Sequence, residues 1–189
     1  MNVPKSMIAV ALMALQSAAL AQATAPDPNC PLKGLVEKST LAGGRVAIRS
    51  VEKAGPQDCR GPGNCTNDVK VQSFTRSDGA KACCTLIEWG TMRVIKGNHL
   101  AFLRWDLKPQ DGKRYVFNPG GVFINPPPAP TPDDLGPLTL SAGDTKATIK
   151  SVNKNAVTFN YGVSVSLKQA NGSYLACDLN DPVIVNQGD

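Results

Sequence analysis

The chain of 189 residues carries 20 Lys and Arg residues against 15 Asp and Glu residues, a formal net charge of +5 at pH 7. The basic residues are scattered and form no block of like charge, so we do not expect nucleic-acid binding. We interpret them as an ordinary solvated surface, with weak attraction to anionic envelope polymers as the alternative. Copper and zinc centres need several His or Cys ligands at short spacing. With a single His and its cysteines expected in disulfides, the chain is predicted to hold neither a metal nor another cofactor.

Residues 1–23 are predicted to be an export signal. Lys5 is the only charged residue among them, residues 7–15 are apolar, and Ala21 and Ala23 form a small-x-small cleavage site. Cleavage after Ala21 is the alternative. Because the apolar run is too short to span a membrane and no later stretch is suitable, we expect no membrane span. Residues 24–189 should therefore be released into the periplasm or the medium of a bacterium.

Six cysteines follow the predicted signal, and an even number in an exported chain indicates about three disulfides. Their pairing stays open at this point, since residues 59 and 65 either close a small loop of their own or bond to residues 83 and 84. Neighbouring residues of a strand point to opposite faces, so the adjacent pair should have two distant partners. The predicted disulfide residues are Cys30, Cys59, Cys65, Cys83, Cys84 and Cys177.

Short apolar stretches separated by Gly, Pro, Asn and Asp predict β-strands joined by turns along most of the chain. A short helix is considered for residues 35–42, although their periodicity is poor. Residues 55–68 and 118–137 are predicted as long loops. The predicted strands in chain order are residues 45–51, 69–75, 83–89, 91–95, 99–107, 114–117, 122–125, 138–140, 145–152, 157–167, 174–179 and 183–185.

The clearest pattern in the chain lies at residues 157–167. Apolar residues alternate there with polar residues or Gly, a period of two that predicts a half-buried strand and not a helix. Two registers are possible for the hairpin that follows. A three-residue loop ending at Gly172 places Leu175 opposite Leu167 and turns Cys177 toward the core, so we prefer it.

Residues 126–137 contain six prolines, so this segment is extended and cannot lie inside a sheet. It would divide the chain into sub-units 24–125 and 138–189. Five of the six cysteines precede it, so pairing of all six needs one disulfide across it. We therefore favour a single disulfide-tied unit over residues 24–189. The predicted fold is all-β: an antiparallel β-sandwich, immunoglobulin-like in general architecture, with the proline-rich segment as a crossover.

The sequence contains few residues that are suited to catalysis. His99 is the only His, so a Ser-His-Asp or Cys-His site would have to use it, and its place beside a turn favours a structural role. Glu88 and Asp106 could act together as in a glycosidase. Ion pairs with Arg93 and Arg104 are the preferred interpretation of these two carboxylates.

These observations favour a non-enzymatic binding protein of the bacterial envelope or medium, a monomer that recognises a protein or glycan partner through loops on a rigid sandwich. A secreted hydrolase using Glu88 or Asp106 is one alternative. A structural component of the envelope or of a surface appendage is another, and an unpaired edge strand at residues 183–185 would be its sign. The candidate binding loop consists of Arg60, Gly61, Pro62, Gly63 and Asn64.

Overall fold

The computed structural model describes residues 27–40, 46–98, 100–124, 134–178 and 183–188. Within these ranges every regular element is a β-strand. The strands are β1 (Leu35–Thr40), β2 (Val46–Cys59), β3 (Gly63–Thr75), β4 (Lys81–Val94), β5 (Ala101–Pro109), β6 (Tyr115–Ile124), β7 (Thr139–Leu140), β8 (Lys146–Ser151), β9 (Ala156–Lys168), β10 (Tyr174–Ala176) and β11 (Val183–Gln187).

Three of the predicted features lie wholly or partly outside these ranges. The predicted signal peptide, His99 and residues 125–133 of the proline-rich segment lie outside the described residues. The short helix considered at residues 35–42 is wrong, because residues 35–40 form β1 and pair with β2. Among the described residues, none forms a helix that is long and apolar enough to cross a membrane.

The strands form two sheets that share β9. The larger sheet contains β1, β2, β3, β4, β5, β7, β8 and β11, and residues 156–160 of β9 join it by pairing with β11. Residues 161–168 of β9 pair with β6 and β10 in the smaller sheet. The prediction of an all-β, sandwich-like protein with mostly antiparallel strands is confirmed.

Three ladders of the larger sheet are parallel, which was not predicted. β4 pairs in parallel with both β2 and β11, and β3 pairs in parallel with β5. Because β11 lies between β4 and β9, both of its sides are occupied. Residues 183–185 are therefore not the unpaired edge that would be the sign of a structural component, and this strand cannot receive a strand from another chain.

The hairpin after β9 has the predicted register. Leu175 lies opposite Leu167, the Cys177 N–H donates to the carbonyl of Val165 at 2.9 Å, and Gly172 has a φ of 84°. Cys177 is buried in the core, as the register requires. A one-residue shift in register would turn every side chain of β10 to the other face of the sheet. The few apolar positions of β10 were therefore enough to predict its register with β9.

The core centres on two aromatic residues from β5 and β9. Trp105 and Tyr161 are fully buried, their ring centroids lie 5.1 Å apart, and Trp105 Nε1 donates to Tyr161 Oη at 3.0 Å. Burial raises the pKa of the Tyr161 hydroxyl, against the opposing effect of this hydrogen bond. The contact joins a strand before the proline-rich segment to one after it.

All six cysteines are paired, as Cys30–Cys84, Cys59–Cys65 and Cys83–Cys177. The adjacent Cys83 and Cys84 have distant partners, in agreement with their alternation along β4. Three disulfides are typical of proteins in oxidising, extracytoplasmic compartments. The Cys83–Cys177 bond crosses the proline-rich segment, and so do the ladders of β5 with β8, β6 with β9 and β4 with β11. A disulfide and three ladders therefore connect strands on the two sides of the proline-rich segment.

β3 lies between β4 and β5, but its ladder with β4 covers only part of its length and stops short of Asn67. Residues 63–71 pair with β5, whereas only residues 69–75 pair with β4. Asn67 is fully buried, and its side chain replaces the missing ladder: Nδ2 donates to the Trp89 carbonyl at 2.8 Å, and Oδ1 accepts from the Trp89 N–H at 3.0 Å. The two ends of β3 therefore lie in different surroundings, and a candidate surface lies at each end.

Candidate binding surfaces at the two ends of β3

The first surface is the disulfide loop, residues 60–64. Its flanking residues Cys59 and Cys65 are 3% and 7% exposed, whereas all five loop residues are exposed. The long loop predicted at residues 55–68 is shorter in the structure, because β2 extends to Cys59 and β3 begins at Gly63. The last two loop residues therefore belong to β3 and pair with β5.

The disulfide loop is anchored to the turn between β4 and β5. The carbonyl of Cys59 accepts hydrogen bonds from the Ile95 N–H at 3.3 Å and from Asn98 Nδ2 at 3.2 Å. Asn98 is itself buried, so this contact is shielded from water. A groove of about 420 Å³ lies between the loop and the turn, with Arg60 and Pro62 among its lining residues. The loop is thus held in position in the free protein.

Two arginines share one carboxylate at the disulfide loop. Arg93 Nε donates to Asp58 Oδ1 at 2.7 Å, and Arg60 Nη2 lies 3.3 Å from Asp58 Oδ2. The hydrogen bond from Arg93 is the largest influence on Asp58 and, with the one from Arg60, lowers its pKa against the opposing effect of desolvation. The Arg60 side chain is still 78% exposed, so a partner can reach it.

The two carboxylates of the hydrolase alternative are engaged in ion pairs. Asp106 accepts hydrogen bonds at 2.7 and 2.9 Å from Arg104, one of the two arginines predicted as partners. Glu88 pairs with Lys53 at 2.6 Å, whereas Arg93, the second predicted partner, pairs with a carboxylate of β2. Neither Glu88 nor Asp106 lines the groove at the disulfide loop or the larger cleft at the other end of β3.

Other catalytic or metal-binding groups are scarce in the described part of the chain. No three His, Cys, Asp or Glu side chains are grouped there in a way that could hold a metal ion. The six cysteines are all in disulfides and cannot act as thiolates. His99 is outside the described residues, so its structural role stays a prediction.

The second surface is the basic cleft, which lies at the opposite end of β3 and has a volume of about 900 Å³. Its walls come from the ends of β3 and β4, the β5–β6 turn and the β9–β10 hairpin. These segments meet because β6 and β10 both pair with the last residues of β9. The cations that line the cleft are Lys81, Lys113, Arg114 and Lys168.

A disulfide and a strand pairing hold the basic cleft together. Cys83 of β4 is bonded to Cys177, which directly follows β10 and its lining residue Leu175. On the other wall, the backbone N–H of Lys168 donates to the carbonyl of Arg114 at 2.9 Å, which brings these two residues side by side. The cleft is thus part of the rigid framework.

Asp111 anchors the β5–β6 turn, which carries Lys113 and Arg114. Its Oδ2 accepts hydrogen bonds from Ser73 N at 3.1 Å, Ser73 Oγ at 2.7 Å and Tyr115 Oη at 2.9 Å. Its Oδ1 accepts from the Lys113 N–H at 3.2 Å. Burial acts to raise the pKa of Asp111, but these hydrogen bonds outweigh it and lower the pKa to about 2. An ionised carboxylate therefore fixes the turn to β3 at neutral pH.

The positive charge of the basic cleft is largely uncompensated. Lys113 Nζ lies 3.8 Å from Asp111, whereas Lys81, Arg114 and Lys168 make no ion pair among the described residues. No carboxylate of the described chain lines the cleft. A group of unbalanced cations in a concave site raises the local potential and attracts anions.

The basic cleft was not predicted, because its cations come from three separate parts of the chain and looked like part of a solvated surface. A usable signal was nevertheless present. Lys81, Lys113 and Lys168 each lie close to a turn glycine with positive φ, at positions 79, 112 and 172. Turns at one end of a sandwich lie near one another, so cations beside several turns can form a single surface.

Comparison with known proteins assigns no function to this chain. No protein-family model matches the sequence. No curated protein matches it significantly.

Proposed function

We propose that this chain is an exported, non-enzymatic binding protein that recognises a protein or glycan partner through the disulfide loop. The supporting observation is that all five loop residues are exposed while both flanking cysteines are buried and bonded. A loop that is already fixed loses little conformational entropy on binding, so its contacts contribute more fully to affinity. Arg60 is the main contact residue of this proposal, because exposed arginines are frequent in the energetic centres of protein interfaces.

Export to the periplasm or the medium is part of the same proposal. The three disulfides support an oxidising compartment, and the predicted signal at residues 1–23 provides the route. We expect the protein to act as a monomer. In support, β11, the strand considered for pairing between chains, is already paired on both sides.

A secreted hydrolase that uses Glu88 or Asp106 is the weaker candidate. A general acid or base must reach the substrate at hydrogen-bond distance, and both carboxylates are instead bonded to Lys53 and Arg104 outside the two cavities. A structural component would have to use another edge, such as β1, which pairs with β2.

The proposal is tested by capture of a partner from envelope and culture-medium fractions with the tagged full-length chain. The double variant Arg60→Ala/Asn64→Ala should lose the captured partner, because it removes two exposed polar side chains of the loop. Both sites are exposed, so the variant should fold like the wild type; its thermal unfolding midpoint verifies this.

The matched control is Lys38→Ala, which removes an exposed polar side chain from β1, a strand that makes no contact with the loop in the sheet. This variant should capture the partner as the wild type does. Equal capture by the double variant and the control would show that the disulfide loop is not the recognition surface.

A further inference from the structure

The basic cleft combines its cations with an apolar floor. Leu167 and Ala82 are buried and Phe74 and Leu175 are half-buried, and all four line the cleft. They come from β9, β4, β3 and β10, so the floor exists only in the folded sandwich. Sites that bind small molecules typically have this composition: a mainly apolar lining with a few charged groups that fix the orientation of the ligand.

The volume of the cleft limits the size of its occupant. At about 900 Å³, it falls within the range of about 300–1,000 Å³ that is usual for small-molecule sites. The walls are joined by the Cys83–Cys177 bond and by strand pairing, so the cleft does not have to open or form on binding.

Two of the cations are neighbours across a pair of strands, and a third lies on the other wall. Arg114 and Lys168 stand side by side on one wall, and Lys81 lies at the start of β4 on the other wall. A guanidinium donates two parallel hydrogen bonds to a carboxylate, sulfonate or phosphate, whereas an ammonium acts as a point charge. Because no carboxylate of the described chain lines the cleft, an external anion is the natural partner of these groups.

We propose that the basic cleft binds a small amphiphilic anion, a molecule with an apolar body and a carboxylate, sulfonate or phosphate group. The apolar body contacts Leu167, Leu175 and Phe74, and the anionic group pairs with Arg114 and Lys168. This binding site is separate from the disulfide loop and lies at the other end of β3, so it stands or fails independently of the recognition function proposed for that loop.

The test is a fluorescence titration of the full-length chain with anilinonaphthalene sulfonate, an apolar body that carries one sulfonate. The wild type should bind it saturably at one site. Lys168→Glu and Arg114→Glu should each raise the dissociation constant about tenfold, because each replaces an attracting charge with a repelling one next to the sulfonate. Leu175→Ala should raise it about threefold through loss of apolar contact.

Three controls distinguish binding of the probe in the cleft from nonspecific binding elsewhere on the surface. Lys38→Glu makes the same charge change on the exposed part of β1 and should leave the dissociation constant unchanged. N-phenylnaphthylamine, which lacks the sulfonate, should bind the wild type more weakly. Inorganic phosphate alone should bind more weakly than the amphiphile, since it has nothing to place on the apolar floor. Thermal unfolding of each variant establishes that it is folded.

Several results would overturn this proposal. Equal binding by Lys38→Glu and Lys168→Glu would place the probe elsewhere on the surface. Inorganic phosphate that binds as tightly as the sulfonate probe would mean that the floor contributes nothing. Retention on vesicles of phosphatidylglycerol without binding of the free probe would mean that the charges serve a membrane surface and not a small molecule.

Discussion

The disulfide loop and the basic cleft occupy opposite ends of one strand and differ in shape and in charge. The loop projects outward, and its Arg60 shares Asp58 with Arg93. The cleft is concave, and its Arg114 and Lys168 have no carboxylate partner in the described chain. Both regions are held by a disulfide, so rigidity is common to them. The difference lies in shape and in ion pairing, which leaves the loop suited to shape recognition and the cleft suited to an anion.

The disulfides themselves should show the largest difference between the two ends. Cys83 and Cys177 are 94 residues apart in sequence, whereas Cys59 and Cys65 are 6 residues apart. Because the entropy of the unfolded chain falls more when a longer loop is closed, loss of the first bond should cost about 4–5 kcal/mol and loss of the second about 2 kcal/mol. Urea unfolding of the two double Cys→Ser variants measures both values, and equal losses would contradict the comparison.

Asn67, at the point where β3 leaves β4, provides the next test. Asn67→Ala should lower the free energy of unfolding by about 2–4 kcal/mol, because it removes both hydrogen bonds between this buried amide and the backbone of Trp89. The same change at exposed Asn64 should cost less than about 0.5 kcal/mol. Urea unfolding compares the two variants, and a small effect at Asn67 would mean that water can replace its amide group.

Acid should weaken the anchor of the basic cleft. The pKa of Asp111 is about 2 in the folded chain against 3.8 when unperturbed, so its ionised form stabilises the fold above about pH 4. This stabilisation is lost as the pH falls from about 4 through 2. Asp111→Asn should be less stable than the wild type by at most about 2 kcal/mol at neutral pH, and the gap should close toward pH 2. Urea unfolding at a series of pH values measures this; a constant gap would exclude Asp111 as the titrating group.

Single charge removals should give the smallest effects. Lys168→Gln should be neutral or slightly stabilising, by less than about 0.5 kcal/mol, because it relieves repulsion in the cleft. Arg60→Gln should be neutral or slightly destabilising, since it removes one of two cations from Asp58. Thermal unfolding at low salt measures both, and added NaCl should reduce both differences. A clear loss of stability in Lys168→Gln would mean that this cation has a partner in the fold.

Local pattern predicted much of the fold but only one of the two surfaces. The alternation at residues 157–167 and a single hairpin register led to β9, β10 and a buried Cys177, because both features depend on neighbours in sequence. The disulfide loop was located by its two cysteines, although the flanking strands proved longer than predicted. The neighbours of β11 could not be predicted, because β4 and β9 lie far from it in the chain and either could have paired with another strand.

The sequence by itself determined that this is an all-β, disulfide-bonded protein. The alternation with a period of two and the even number of cysteines can both be recognised without knowledge of any long-range contact. Tertiary structure alone decided which strands are parallel, how the cysteines are paired and that four scattered cations line one cleft. The physical reason is that alternation reports which face of a strand is buried but not which strand lies beside it. The basic cleft depends on that second kind of information, because its walls come from four separate parts of the chain.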